Sequence, residues 1–304
     1  MHTRKRWTVR RVQSTLNLII FLLPTLLFVF VFIAFPILFS GYLSFTEYNY
    51  AMDVAPTFIG LRGYVDVLLH DGFLHTALKN QFFFAVPYFI LTFLVSLGLA
   101  ILVSELRHGM QLYQIVFYLP MIIPLSLVGI TFAWILAPDL GVFNVILQRV
   151  GLGKWARDWY GDPDTALYAL VAARSWKMIG FTFIILLSGI QSIPTSLREA
   201  ARVDGAGFWG EIRHVVLPLL RPYLLISGIW IIINSIKVFD LPKVITQGGP
   251  GVSTLTLYLY SWKAAFERFD MGLASRVAYI TAFIILFLSW LLNLLLKPEE
   301  AERF

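Results

Sequence analysis

The sequence predicts an all-α polytopic membrane protein with six transmembrane helices. Three observations carry that prediction. Hydrophobic residues make up 58% of the chain and charged residues 14%, with a mean hydropathy of +0.76, a balance that a soluble globular surface does not tolerate. Charge-free or nearly charge-free runs fall at 12–46, 80–104, 109–138, 178–197, 222–236 and 277–296, and a span needs roughly 20 apolar residues. Between the fourth and fifth runs stands a charged island, Glu199-Ala-Ala-Arg-Val-Asp-Gly-Ala-Gly207, continuing to Val215-Val-Leu-Pro218. The expected organisation is a basic cytoplasmic N-terminus over 1–15, one transmembrane domain over 16–297 that includes the island loop at 195–218, and a cytoplasmic tail over 298–304.

Span one, about Leu16 to Phe45, carries Pro24 and Pro36. It is too long for a signal peptide and ends without an Ala-x-Ala site, so a retained span is expected. Span two follows Asn80 and ends at Glu105, and a short turn with Arg107 makes it the antiparallel neighbour of span three. Span three holds Pro120 and Pro124, which predict a kink. The outer segment 138–165, rich in turn residues, has room for a short interfacial helix at about 142–150. Span four is expected from near Ala166, which places Arg174 and Lys177 inside it. Span five is expected to continue to about Val244, with Lys237, Asp240 and Lys243 on one arc. A second outer segment, 246–275, begins Thr246-Gln-Gly-Gly-Pro250 and contains Trp262 and Phe266.

Orientation follows from the basic residues. Arg4, Lys5, Arg6, Arg10 and Arg11 precede span one with no acid among them, so the N-terminus is expected in the cytoplasm, and an even number of spans returns the C-terminus there. Arg198, Arg202, Arg213 and Arg221 put the island on the same side, with Arg107, Lys297 and Arg303.

Within the island, Ser196 and Glu199 form a capping-box pair, and Gly205 with Gly207 gives a helix stop and a turn. The reading is a short helix, a tight turn, and a second helix from about Phe208 into Leu217-Pro218. Such a hairpin presents itself to a partner or lies on the membrane with Glu199 as a cap. In the spans, an ionisable group at the bilayer centre costs a few kcal/mol. Arg174 and Lys177, one turn apart, and Lys237 with Asp240 are therefore candidates for a polar pathway suited to an anionic solute. Pairing of Asp240 with Lys237 or Lys243, and outward snorkelling of Arg174, are the simpler alternatives.

Several chemistries are excluded. There is no cysteine, hence no disulfide or thiolate metal site. The five histidines are scattered without a His-Glu-x-x-His pattern, no Gly-x-Ser-x-Gly occurs, and Gly151-Leu-Gly-Lys154 lacks the first glycine and the Ser or Thr of a P-loop. No metal site is expected. The net charge of +6 reflects flanks facing anionic headgroups, and nothing suggests nucleic acid binding.

The island spacing, Glu-Ala-Ala, three residues, Gly, nine residues, then Val-x-Leu-Pro, resembles the cytoplasmic EAA loop of binding-protein-dependent ABC importer permeases, with Val215 where that family more often has Ile. Leu119-Pro120-Met121, Gly141-Val-Phe-Asn144, Trp176, Ile193-Pro194, Phe239-Asp240 and Thr246-Gln-Gly-Gly-Pro250 follow the order found in sugar permeases similar to those for maltose and glycerol phosphate. The resemblance implies a transport subunit of the bacterial inner membrane without catalysis or bound cofactor. Its partners would be a second permease subunit in a heterodimer, two ATPase subunits using ATP and Mg, an extracytoplasmic solute-binding protein, and a sugar or oligosaccharide that crosses by alternating access. It makes Glu199, Ala200, Ala201, Asp204 and Gly205 the ATPase-coupling residues. It also places Met121, Leu125, Arg174, Met178, Ser235 and Val238 at the positions that line the maltose pocket, where several polar contacts of that permease are here Met, Leu, Val or Arg. The outer segments 138–165 and 246–275 would meet the binding protein. Competing classes are a secondary transporter, which calls for inverted repeats and an acid network, and a membrane enzyme, which calls for paired catalytic residues; the sequence offers none of these.

Overall fold

The computed structural model describes residues 19, 21–106 and 108–296. The basic N-terminal cluster, Arg107, Lys297, Arg303 and the 298–304 tail lie outside the described residues. Among the described residues the regular elements are helices, with one antiparallel ribbon that pairs β1, Thr46–Glu47, with β2, Thr57–Phe58, and an isolated bridge between Asn49 and Asp270. Four helices among the described residues are long and apolar enough to cross a bilayer: α1 (Phe21–Leu43), α3 (Gly72–Ser104), α7 (Pro163–Gln191) and α12 (Met271–Leu296). The number rises to six if two bent pairs each count as one span. These are α4 (Met110–Ile122) with α5 (Leu125–Ile135), bent by 95°, and α9 (Phe208–Leu219) with α10 (Arg221–Ile236), bent by 72°.

Proline chemistry explains the first break. The residue before a proline is pushed out of helical geometry, and Ile123, preceding Pro124, is extended at φ −68 and ψ 129. The kink expected in span three is thus a full break. Span five ends early: Ile236 closes α10, and Lys237, Val238 and Phe239 leave the helix before a π-helical turn at Pro242–Thr246. The expected continuous helix to Val244, with its single arc of charges, is therefore interrupted by an unwound stretch at 237–239, after which helix resumes at Asp240. Span two begins earlier than Asn80, because Asp71 caps α3 by accepting hydrogen bonds from the amides of Phe73 (2.8 Å) and Leu74 (3.0 Å).

The short elements are α2 (Arg62–His70), α6 (Val142–Arg149), α8 (Thr195–Val203) and α11 (Leu257–Phe266). The interfacial helix expected near 142–150 is α6. The core runs along α7, which packs most extensively against α3 and then against α4. At α4 the backbones come so close that a Cβ on Gly180 would collide with the Phe117 carbonyl, the small-residue contact that packs helices where no hydrophobic drive between them exists. One buried cluster joins Tyr88, Leu170, Met178, Ile231, Val238 and Leu241, and a second, nearer α8 and α9, joins Val103, Phe183, Leu187, Val216 and Leu220.

Candidate functional site

The island folds into an α8–α9 hairpin whose turn is set by one glycine. Asp204 closes α8 and Gly205 follows at φ +86, in the left-handed region. The Gly205 amide donates to the Arg202 carbonyl (3.1 Å) and the Ala206 amide to the Ala201 carbonyl (2.9 Å), the paired bonds of a Schellman motif. At the other end the capping box does not form. Pro194 is the N-cap, Ser196 lies inside the first turn, and no side chain caps it. The proline, already extended at φ −56 and ψ 129, starts the helix two residues too early for Ser196 to serve.

Glu199 is consequently free of the capping duty. It stands exposed beside Ala200 and half-buried Ala201, and takes part in none of the ion pairs among the described residues. The same hairpin exposes Val203, Phe208 and Trp209, the last by 76%. Arg198 and Arg202, one turn apart, both reach the buried Glu211 carboxylate. Arg202 donates from Nε to Oε2 of Glu211 (2.6 Å), and Arg198 binds both Glu211 and Glu105. Burial opposes ionisation of Glu211, but the hydrogen bonds and charges of Arg202 and Arg198 outweigh it and hold its carboxyl below the ordinary range. Neither Glu105 nor Glu211 was singled out by sequence, since a helix face of two arginines does not say which acids it will meet.

Within the span region, Met121 and Leu125 at the α4–α5 break pack against the cluster that contains Met178 and Val238. Four of the pathway residues therefore converge. Arg174, only 6% exposed, adjoins them. Its Nη2 donates to the Asn234 carbonyl (3.2 Å) and to Asn234 Oδ1 (3.4 Å), while its Nε has no partner among the described residues. Lys177 turns to the broken helix: its Nζ donates to the carbonyls of Pro120 (3.4 Å), Met121 (2.8 Å) and Ile123. The break strips the last carbonyls of α4 of their intrahelical partners, and a cation suits that end of the helix dipole.

The remaining members are placed apart. Ser235 is buried against α3, donating to the Ile232 carbonyl (2.7 Å) while its own carbonyl accepts from Gln81 Nε2 (2.8 Å). Lys237, in the unwound stretch, and Asp240, where helix resumes, are both exposed and form no ion pair with each other. Lys243 pairs instead with Glu267 (3.3 Å) and lies 3.5 Å from the centroid of Trp262. Asn234 and Tyr88, polar groups against Arg174, escaped the sequence reading because isolated polar residues in apolar runs carry no periodic signal.

Residues 1–297 match the family described as binding-protein-dependent transport system inner membrane component. The chain is 32% identical over 283 residues to a probable starch degradation products transport system permease protein of Thermoanaerobacterium thermosulfurigenes, covering 93% of this chain and 94% of that one. It is 31% identical over 265 residues to a trehalose/maltose transport system permease protein of Thermococcus litoralis, covering 87% and 88%. In fold it is similar to a chain of a bacterial ABC transporter involved in the import of the acidic polysaccharide alginate, with a TM-score of 0.82 at 21% identity, over 96% of this chain and 99% of that one.

Proposed function

This chain belongs to the family of binding-protein-dependent transport system inner membrane components, and we propose that with a second, different permease subunit it forms the alternating-access pathway for an anionic sugar or oligosaccharide, such as a uronate oligosaccharide or sugar phosphate. As a multi-pass inner-membrane permease of an ABC importer for sugars, it is a non-catalytic subunit; ATP is hydrolysed by separate ATPase subunits. In this reading α4 with α5 is one span and α10, entered from the loop helix α9, is another, which makes six, with both termini cytoplasmic. Glu199, Ala200, Ala201, Asp204 and Gly205 then face an ATPase that uses ATP and Mg. The segments 138–165 and 246–275 face the solute-binding protein.

The single observation that carries the anionic reading is Arg174. A guanidinium nearly removed from solvent, whose hydrogen bonds among the described residues go to the neutral oxygens of Asn234, with the neutral Tyr88 hydroxyl beside it and Nε left over, is costly inside a membrane unless an anion completes it. Arg grips a carboxylate through two parallel hydrogen bonds. Met121, Leu125, Met178 and Val238 give the wall, Lys177 holds the break that positions Met121, and Lys237 and Asp240 flank the unwound end of α10. The test is ATPase stimulation of the whole transporter by neutral and uronic-acid oligosaccharides. Wild type should prefer the uronate, and Arg174→Ala should weaken its half-maximal concentration roughly 10- to 150-fold, as expected for about 1.5–3 kcal/mol per hydrogen bond to a charged group. Preference for the neutral sugar, or an unaltered response in the variant, defeats the anionic reading and leaves the importer assignment standing.

A further inference from the structure

Four charged side chains meet where the hairpin joins the spans. Glu105 follows the last residue of α3, Arg198 and Arg202 lie on α8, and Glu211 lies on α9. Each arginine touches both acids: Arg198 binds Glu105 and Glu211, and Arg202 reaches Glu211 at 2.6 Å and Glu105 at 3.5 Å. Glu211 is 2% exposed, so its two arginines are its replacement for water. Two acids and two bases balance, which leaves the cluster no excess charge with which to bind an outside ion. Its effect is mechanical: α8 is fastened to the end of α3 across a sequence gap of 93 residues.

The other half of α3 is fastened as well. Asn80 Nδ2 donates to the carbonyls of Val252 (2.7 Å) and Leu255 (3.0 Å), and Gln81 donates to Ser235 and accepts from the Leu257 amide (3.4 Å). Residues 80 and 105 are about 37 Å apart along a helix rising 1.5 Å per residue. The helix is unbroken through Pro87 and is packed along α7. A rigid element pinned at both ends by polar groups is the kind of connection that passes displacement between distant sites.

Resting on the reading of α8 as the ATPase-coupling helix, we propose that the Glu105–Arg198–Arg202–Glu211 cluster is an ionic latch, and that Glu105 is a positioning residue through which α3 carries movement of α8 to the 252–257 segment. Loss of Glu105 frees α8 from α3 while Glu211 still holds the hairpin together. ATPase binding and the response of the outer segment therefore come apart.

The absence of cysteine permits a direct test. Val252→Cys, an outward-facing position whose backbone carbonyl holds Asn80, is introduced into the transporter purified in nanodiscs with its ATPases. Its rate of reaction with a water-soluble maleimide is read on this chain without nucleotide and after trapping with ATP and vanadate. Trapping should change the rate in the otherwise wild-type chain. In Glu105→Gln the ATPases should remain bound while the change is lost, and Glu105→Asp should restore part of it. If Glu105→Gln fails to assemble, Arg202→Gln, at a position 53% exposed, removes a contact to each acid and should show part of the loss, since Arg198 still holds Glu105. A change of undiminished size in whichever of these variants assembles, or no change in the wild-type background, overturns the latch. Absence of ATPases from the wild-type preparation overturns the coupling assignment, and the latch with it.

Discussion

Replacing Gly205 isolates the conformational demand of the hairpin turn from every steric one. No heavy atom lies within 4 Å of the Cβ that alanine would add, so the substitution meets open space. What remains is the φ of +86. An L-residue in the left-handed region costs roughly 1–2 kcal/mol, which is about a 5- to 30-fold loss of the hairpin form that closes both Schellman bonds. Gly207, two residues on, supplies the control, because it also has open space but sits at φ −72, where alanine is unstrained. If the ATPase docks on the hairpin as folded here, retention of the ATPase on immobilised permease should weaken about 5- to 30-fold in Gly205→Ala and stay unchanged in Gly207→Ala. Gly205→Asn should fall between, since Asn tolerates this conformation better than Ala. Equal effects at the two glycines, or none at Gly205, would show that the turn does not set the docking surface.

Two further outcomes concern the same hairpin. Glu199 has no ion pair to lose among the described residues, so Glu199→Lys should leave thermal stability within about 0.5 kcal/mol while reducing ATPase retention or coupling; a large loss of stability would mark it as structural. Glu211 has its folded-state pKa depressed below the ordinary 4.5. Its contribution is therefore fully present above that value and disappears only as pH falls through the lower folded one. Hydrogen exchange across α8, corrected for intrinsic rates, should stay protected at pH 5 and open in stronger acid. Opening already between pH 7 and 5 would contradict the arginine pairing.

What sequence made legible was largely what chain-local physics decides. Apolar run lengths marked the spans, Pro124 marked the break, and the Gly205 spacing gave a helix, a turn and a helix. The differences come from local competitors that a spacing pattern does not rank and from nonlocal partners that are invisible to it. Ser196 and Glu199 satisfy the capping-box spacing, yet Pro194 starts the helix first. Lys237, Asp240 and Lys243 have helical spacing, but α10 ends at Ile236 and Lys243 finds Glu267 across the outer segment. The three carbonyl partners of Lys177 are likewise not legible in the sequence, because they become available only when α4 bends away. The helices α2 and α11 lie in segments too mixed in polarity to announce a period, and the ties from Asn80 and Gln81 to the 252–257 region span more than 170 residues in several cases.

The central claim is that this chain works as one permease of a heterodimeric, ATPase-driven importer through the α8–α9 hairpin. It is tested most directly by tagging this chain, purifying it in mild detergent and measuring subunit stoichiometry by native mass spectrometry. The account predicts one copy of this chain, one different permease and two ATPase subunits, with the ATPases released by Gly205→Pro, which removes the amide that closes the turn and forces φ negative. A complex of two identical copies of this chain, or ATPases retained in full by Gly205→Pro, would contradict it.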